Sequence, residues 1–345
     1  MPCICLLLAE NPSISLFSET PQKSKTELIL LNRMLRGMIF TIISALLFGV
    51  TPILASMTFE MGSNANTITF YRNLMVVPVL LCVMFVKKTP FRVSLREVGF
   101  LLLVGVVFRA STTYMLYESY NYVGVGTATT LHFLYPVVTA LICRVIFRER
   151  LGLWKLIALT AAGIGVFFFL DPSGNAALPG IVLALASAVT YGCYLTGMDK
   201  TPLRRMNPNK VACYMGFTNA MAILLVDIPV GKINFFLPPL AMGYTFLIAI
   251  CTSFLAVALL QKGIQDLGAS TAAIFCMFEP VSSVLSGWLI LHETMTPAKL
   301  MGCVVILGAV TLMVFSDLRS QKRTRALGEP ESFSQEMVEN SVKTG

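Results

Sequence analysis

The sequence predicts an all-α integral membrane protein in which ten transmembrane helices form two inverted five-helix repeats. Of the 345 residues, 56% are hydrophobic and only 13% are charged, about half the charged fraction of a soluble domain. Apolar runs of about 20 residues recur along the chain, and each is long enough to cross a bilayer as a helix. In addition, the segment 124–156 is repeated without a gap at 268–300.

The repeated segment begins with a glycine, contains a proline near its middle and ends with a glutamate before a new apolar run. The strongest aligned pairs are Gly124 with Gly268, Thr127 with Thr271, Pro136 with Pro280, Glu149 with Glu293 and Lys155 with Lys299. A weaker similarity pairs Gly37 with Gly180, Ser44 with Ser187, Phe48 with Tyr191 and Gly49 with Gly192. A unit of about half the chain is too long for a solenoid module and indicates a duplicated membrane bundle.

The apolar runs define the predicted spans and the boundaries between repeats. The ten spans are 37–58, 67–86, 98–119, 125–147, 153–170, 180–199, 210–230, 240–261, 269–290 and 298–316. The predicted parts are a flexible N-terminal tail at 1–33, a first repeat at 34–171, a second, inverted repeat at 172–318 and a disordered cytoplasmic tail at 319–345. The last part is predicted to be disordered because it is polar and charged.

The basic residues predict the orientation in the membrane. With the N-terminus in the cytoplasm, nearly all Lys and Arg residues of the loops lie on the cytoplasmic side, and only Lys232 and Lys299 lie on the other. This distribution follows the positive-inside rule. We therefore predict a multi-pass protein of a cell membrane, with both termini cytoplasmic. Because each repeat has an odd number of spans, the second enters the membrane upside down, which is the architecture of secondary transporters.

The same composition argues against other classes of protein. The net charge of +8 is explained by topology, so a nucleic-acid partner is not predicted. The nine Cys residues show no metal-ligand spacing and are read as small apolar fillers. No cofactor, metal or catalytic residue is predicted, and the absence of a Walker A sequence excludes ATP hydrolysis by that route. The expected partners are a small-molecule substrate and the lipid bilayer, and a homodimer is an open alternative to a monomer.

Ionisable residues at membrane depth define the candidate site: Arg72, Arg109, Glu118, His132 and Glu279. Such groups are costly in hydrocarbon, by about 2.5–3.5 kcal/mol for Arg or Asp at a helix centre, and face the bundle interior or water. Arg109 and Glu279 lie nearest the centre of their spans. Either they bind substrate, or they pair with each other or with neighbouring helices and lock the bundle.

The remaining candidates have two interpretations each. Arg72 and Glu118 form either a mutual ion pair or a gate. His132 is either a proton carrier or a hydrogen-bonded packing residue. Tyr114 and Tyr117 follow one another at helical spacing, and they line a substrate pocket or serve as packing residues. Pro136 and Pro280 are predicted helix hinges, since a proline leaves the carbonyl four residues earlier without its donor.

With these residues in place, the chain resembles the drug/metabolite transporter superfamily, and within it the EamA-type ten-helix transporters. The resemblance rests on Pro136, Pro280, Glu149, Glu293 and the sequence Glu279-Pro280, and also on Phe70-x-Arg72 in the second span. It covers about residues 37–316, and it excludes Arg109 and His132, which are not part of the shared pattern. It implies a common fold with differing cargo, in which export of amino acids and related metabolites is frequent.

We therefore expect a secondary transporter, and not an enzyme, that exports a small polar metabolite such as an amino acid or derivative by alternating access. Proton exchange and facilitated diffusion both remain open. An alternative with the same fold is a nucleotide-sugar or sugar-phosphate exchanger, which two arginines would suit. An alternative of another class is an intramembrane enzyme or lipid-handling protein, although neither H-E-x-x-H nor a pair of membrane aspartates is present.

Overall fold

A computed structural model describes residues 21–149, 151–168, 177–229, 231–290 and 296–327, with side chains only between residues 32 and 312. All regular elements in these ranges are helical. The α-helices are α1 (Pro21–Glu60), α2 (Ala65–Leu74), α3 (Val76–Val86), α4 (Leu95–Phe100), α5 (Ser111–His132), α6 (Tyr135–Val145), α7 (Leu153–Phe167), α8 (Leu178–Lys200), α9 (Pro208–Asp227), α10 (Pro239–Ile248), α11 (Val257–Leu267), α12 (Ala269–Phe275), α13 (Phe278–Ile290) and α14 (Pro297–Leu327). Two π-helical segments, Leu101–Ala110 and Ala249–Ala256, and a 3₁₀ turn, Pro202–Arg205, lie between them.

These elements form the ten predicted spans. Within the described ranges, seven apolar helical stretches are long enough to cross a bilayer, and three shorter apolar helices accompany them. The third span comprises α4, the first π-helical segment and α5 up to Gly124, where the chain turns into the fourth span. The eighth and ninth spans are joined in the same way at Gly268. The prediction of an all-α membrane protein with ten helices is confirmed.

The two repeats share unusual local structure. Gly124 has φ 73° and ψ 162°, and Gly268 has φ 80° and ψ 161°, a conformation that is accessible to glycine and strained for other residues. In each repeat, a turn also interrupts the helix just before the predicted hinge proline, at Phe133–Leu134 and at Cys276–Met277. Both glycines and both breaks were present in the aligned segments, so the sequence repeat is a structural repeat.

Packing between the repeats is reciprocal. Equivalent spans contact one another in the pairs α2 with α9, α6 with α12 and α7 with α14. The first span packs against α11 of the eighth, and α5 of the third packs against α8 of the sixth. This exchange of partners is what a pseudo-two-fold axis in the membrane plane produces. It also means that no repeat buries its apolar faces alone.

Both predicted tails begin as extensions of helices. The first helix starts at Pro21, so residues 21–33 of the predicted flexible tail are helical. The last helix continues to Leu327, so residues 319–327 of the predicted disordered tail are helical as well. The rest of each tail, and Glu293, lie outside the described residues. At the N-terminal end, the apolar run 28–31 continues the helical pattern outward from the first span. Residues 319–327 are mainly Arg, Lys, Gln, Ala and Leu, which are good helix formers although most of them are polar.

Basic side chains collect at one end of the bundle, which we call the basic end. Three contacts show the convergence: Arg36 pairs with Asp266, Lys200 pairs with Glu149, and the Lys210 ammonium donates to the Arg92 carbonyl. These residues come from the first, fourth, sixth, seventh and eighth spans and from the loop before the third. The ends of these spans that were predicted to share one side of the membrane therefore lie together in the structure, as alternating helix directions require.

Candidate functional site

A cavity of about 80 Å³ lies inside the bundle. The third span lines it from Arg109 to Tyr120, which places it in the half away from the basic end. Of the predicted site residues, five line this cavity: Arg72, Arg109, Tyr117, His132 and Glu279. They come from the second, third, fourth and ninth spans, so the fold brings together groups that are far apart in sequence.

Arg109 is buried in the cavity wall without a charge partner. Its side chain belongs to the first π-helical segment and is 6% exposed. The guanidinium carbon lies 5.9 Å from the centre of the Tyr194 ring, a contact with the negative face of an aromatic ring. Its Nη1 has no hydrogen-bond partner, and no described carboxylate forms an ion pair with it. The alternative in which Arg109 and Glu279 lock each other is not observed in this conformation.

Glu279 is the cavity's carboxylate. It is 4% exposed and lies in the first turn of α13, where the helix dipole stabilises negative charge. Its Oε1 has no partner within hydrogen-bond distance among the described residues, and the neighbouring Tyr135 hydroxyl is likewise without one. The backbone around it is held by α1, because the Ser282 hydroxyl donates to the Leu46 carbonyl at 2.8 Å. A buried acceptor and a buried donor are thus both left open on one cavity, which is uncommon in a finished protein interior.

Arg72, in contrast, is fully engaged by neutral groups. Its Nη1 donates to the Tyr117 hydroxyl at 2.5 Å, its Nη2 to Thr252 at 2.7 Å and its Nε to Ser253 at 3.1 Å. No contact between described residues joins Arg72 to Glu118, so the alternative of a mutual ion pair is not observed in this conformation. Two of the hydroxyl partners, Thr252 and Ser253, belong to the second π-helical segment in the eighth span, and Tyr117 belongs to α5. Arg72 of the second span thus contacts the other repeat.

His132 has a defined tautomer. Its Nδ1 lies 2.9 Å from the Ser187 hydroxyl oxygen, and that hydroxyl donates its own hydrogen to the Ala184 carbonyl at 2.6 Å. The serine oxygen must then accept, so we assign the proton to Nδ1 and the lone pair to Nε2. His132 thus forms a hydrogen bond to a neighbouring helix through Nδ1, and its ring also lines the cavity.

A run of aromatic rings separates the cavity from the basic end. His132 lies 5.3 Å from Tyr191, Tyr191 lies 4.5 Å from Tyr135 in an edge-to-face arrangement, and Tyr191 stacks on Tyr194 at 5.4 Å. Tyr194 in turn carries the Arg109 guanidinium. The rings thus form a continuous set of contacts from His132 of the fourth span to Arg109 of the third, and they lie on the side of the cavity toward the basic end.

Tyr114 is the one pocket candidate that the cavity does not include. It is half-buried and packs against two apolar clusters, whereas Tyr117 and Tyr120 of the same helix reach the cavity. Two lining residues, Phe48 and Tyr191, were not among the candidates. The sequence did contain a signal for them, because the repeat alignment pairs Phe48 with Tyr191.

Comparison with known proteins agrees with this fold. A profile of the EamA-like transporter family matches residues 35–170 and 178–315, once for each repeat. The chain belongs to the EamA-like transporter family. It is 31% identical over 199 residues to an uncharacterized transporter of Haemophilus influenzae, a match that covers 55% of this chain and 64% of that relative.

Other relatives match along nearly their whole length. An uncharacterized transporter of Bacillus subtilis is 23% identical, with 83% of this chain and 95% of the relative covered. An uncharacterized inner membrane transporter of Salmonella typhimurium is 25% identical, with 84% and 98% covered. A solved crystal structure has the same fold, with a TM-score of 0.67 at 14% identity over 80% of this chain and 96% of that one. The protein is thus a multi-pass membrane transporter.

In this EamA-like transporter, ion pairs close the basic end. Asp266, at the end of α11, accepts from Arg33 at 3.0 Å and from Arg36 at 2.9 Å. Buried Asp199 lies 3.0 Å from Lys200 and 3.2 Å from Arg204. Together these contacts join the first span to the eighth and neutralise the carboxylates beneath the aromatic rings.

The corresponding contact at the other end is uncharged. At the basic end, α1 meets α11 where Gly37 packs on Asp266; in the other repeat, Gly180 of α8 packs on Tyr122 and Val123 of α5. The two contacts are equivalent by the internal repeat. Among the described residues, only the basic end adds charge pairs to this contact, so the two ends of this transporter are held by different forces.

Replacing Tyr117 with phenylalanine is expected to lower the stability of the transporter by about 1–3 kcal/mol, because the buried Nη1 of Arg72 loses its acceptor. Thermal unfolding of the purified protein in detergent measures the effect. Tyr120→Phe is the matched control: it lies one turn away, and its buried hydroxyl has no partner among the described residues. Equal midpoints for the two variants would contradict the assigned role of Tyr117.

Proposed function

We propose that this transporter exports a small zwitterionic metabolite, most simply an amino acid or a derivative of one. The observation that carries the proposal is the pair of open groups on one cavity: Arg109 Nη1 without an acceptor and Glu279 Oε1 without a donor. A cargo with a carboxylate and an ammonium would supply both missing partners. Charge-assisted hydrogen bonds of this kind are about twice as strong as neutral ones.

The two arginines of the cavity differ in their hydrogen-bond partners, and the difference favours a zwitterionic cargo. Arg72 already donates to three hydroxyl groups, which leaves Arg109 as the cation with an open donor. One guanidinium with an open donor and one carboxylate with an open acceptor on the same cavity match a cargo with one negative and one positive group. Tyr117, Tyr120 and Tyr191 provide apolar faces beside these charges for the rest of the molecule.

The size of the cavity supports a small cargo over the alternative of a nucleotide sugar. Sites for drug-sized ligands occupy about 300–1,000 Å³, whereas this cavity measures about 80 Å³. A phosphate-bearing cargo would also use both arginines, and the hydroxyl partners of Arg72 would have to be displaced first. Both observations favour the amino-acid class.

The geometry also supports an orientation and a mechanism. With the basic end in the cytoplasm, as the positive-inside rule requires, the cavity lies in the outer half of the membrane above a closed cytoplasmic side. The inverted repeats can exchange conformations, and the opposite state would open the cytoplasmic side. Glu279 would then exchange the cargo ammonium for a proton or a second cargo molecule before the protein returns.

Untargeted metabolite profiling tests this proposal. Cells expressing the wild-type protein are compared with cells expressing equal amounts of Glu279→Gln, and the medium of both is analysed. We expect a few amino acids or related zwitterions to rise outside only with the wild type, because the glutamine cannot form an ion pair with an ammonium. Glu60→Gln serves as the control, since Glu60 is exposed at the end of α1.

Two outcomes would count against the proposal. If Glu279→Gln exports the same compounds at the wild-type rate, Glu279 is not a cargo ligand. If the compounds that rise are sugar phosphates or nucleotide sugars, the transport function stands and the cargo class is wrong. Exchange assays in liposomes loaded with each class of compound separate these two cases.

A further inference from the structure

A second cavity, of about 450 Å³, opens at the basic end between the loop that joins α3 to α4 and the turn that joins α8 to α9. We call it the basic pocket. It shares no lining residue with the central cavity. Its ionisable lining consists of four cationic side chains and one carboxylate: Lys87, Lys88, Arg205, Lys210 and Glu97.

Glu97 lies near enough to Lys210 to interact with its charge, but among the described contacts it forms no ion pair with any of the four cations. Glu97 Oε2 accepts from the backbone N–H of Ser94 at 2.7 Å and from its hydroxyl at 2.9 Å, as the cap of α4. The side chains of Lys87, Lys88 and Arg205 form no hydrogen bond or ion pair with any residue that the structure describes. Elsewhere at the basic end, Arg36, Lys200 and Arg204 each have an acidic partner. The basic pocket therefore concentrates positive charge that the protein itself leaves unpaired.

Two further features make the basic pocket attractive to an anion. Lys210 is only 8% exposed, and one of its three ammonium donors is used by the Arg92 carbonyl. Lys210 lies in the first turn of α9, which has 20 residues, and the N-cap residue of this helix, Asn207, lines the pocket. The positive end of that helix dipole adds to the side-chain charges.

Apolar residues next to the basic pocket face outward. Phe85 and Val86 immediately precede the two lysines, and Leu95 begins the next helix; all three are largely exposed. In a membrane protein such residues contact acyl chains. A pocket with cations inside and lipid-facing side chains at its rim has the two halves of a phospholipid site, namely a headgroup pocket and an apolar wall.

We propose that the basic pocket binds a phosphate group, and that the phosphate is the headgroup of an anionic phospholipid of the surrounding bilayer. Its oxygens accept charge-assisted hydrogen bonds from the lysines and the arginine. Lys87 and Lys88 belong to the first repeat, and Arg205 and Lys210 to the second. A bound phosphate therefore bridges the repeats, beside the hydrogen bond from the Tyr214 hydroxyl to the Phe91 carbonyl at 2.5 Å. This inference does not depend on the identity of the cargo.

Lipid binding to the full-length protein tests the proposal. Native mass spectrometry of the protein in detergent measures retention of phosphatidylglycerol and of phosphatidylcholine with the same acyl chains. The pocket variant combines Lys88→Gln with Arg205→Gln. The control variant combines Arg96→Gln with Lys262→Gln, which removes the same charge from the basic end outside the pocket. We expect phosphatidylglycerol to bind the pocket variant about tenfold more weakly or worse and the control variant like the wild type.

A second pocket variant and a soluble probe complete the experiment. Lys87→Gln with Lys88→Gln removes both charges of the α3–α4 loop and keeps Arg205, which guards against a folding defect caused by the Arg205 substitution. A titration with inorganic phosphate identifies the source: phosphate binding that only the pocket variants lose, without preference for phosphatidylglycerol, would assign the site to a soluble phosphate compound. Equal binding of both probes to wild type and pocket variants, or an equal loss in the control variant, would overturn the proposal.

Discussion

Replacing Arg109 with methionine is expected to abolish export while leaving the cargo-free protein at least as stable as the wild type. Arg109 is buried without an ion pair to a described residue, and its Nη1 has no partner. A buried charge without a partner costs free energy, so an apolar side chain of similar length removes a cost from the empty transporter. The cargo carboxylate loses its cation at the same time, which is worth about 2–5 kcal/mol, or a rate reduced about 30-fold or more.

The measurement combines liposome export assays with thermal unfolding, and Arg72→Met is the matched control. Arg72 donates to Tyr117, Thr252 and Ser253, so its replacement leaves three buried hydroxyls to find new partners and should lower the unfolding midpoint. The alternative in which Arg109 only locks the bundle predicts the same loss of stability for both variants. A clear fall in the midpoint of Arg109→Met would therefore contradict its assignment to cargo binding.

Replacing Gly49 with alanine is expected to impair both stability and export. An added Cβ would lie 2.5 Å from the Glu279 carbonyl oxygen and 2.5 Å from the Ser282 Cβ. Because the first of these is a backbone atom, α1 and α13 must move apart, and overpacking of this kind costs about 1–3 kcal/mol or more. The same displacement moves the Glu279 side chain relative to the cavity, so export should fall about tenfold or further.

Gly308→Ala provides the control for this substitution. Gly308 lies in the tenth span, and an added Cβ there meets no atom within 4 Å. We expect its unfolding midpoint and its export rate to match the wild type, since alanine is the better helix former. If Gly49→Ala behaved like Gly308→Ala in both assays, the close contact of α1 with α13 would not be what positions Glu279.

The asymmetry between the two ends of the transporter bears on its resting state. At the basic end, Asp266 binds two arginines, whereas the equivalent contact between Gly180 and Tyr122 at the other end has no charge. In the alternating access that we propose, opening the basic end would require these ion pairs to separate, and opening the other end would not. The charge pairs would then favour the conformation in which the cavity is closed on the basic side.

The sequence by itself determined the architecture of this protein. Ten apolar runs, the repeat of 124–156 at 268–300 and the distribution of basic residues were sufficient for the fold. The physical reason is that these features depend on short stretches of sequence. A membrane-spanning helix needs about 20 apolar residues, and the side of the membrane on which a loop lies follows from its Lys and Arg content. The same local argument selected five ionisable residues at membrane depth, and four of them line the cavity.

The tertiary structure alone decided which partners each of these residues has. Arg72 and Arg109 look alike in sequence, yet Arg72 is satisfied by hydroxyls of the second π-helical segment and Arg109 is open to the cavity. Glu118 was expected beside Arg72 and has no ion pair with it among the described residues. The hydrogen-bond partners of a buried residue depend on which helix faces meet across the pseudo-two-fold axis. These faces belong to spans that are distant in sequence, so the residue pattern within one span cannot predict them.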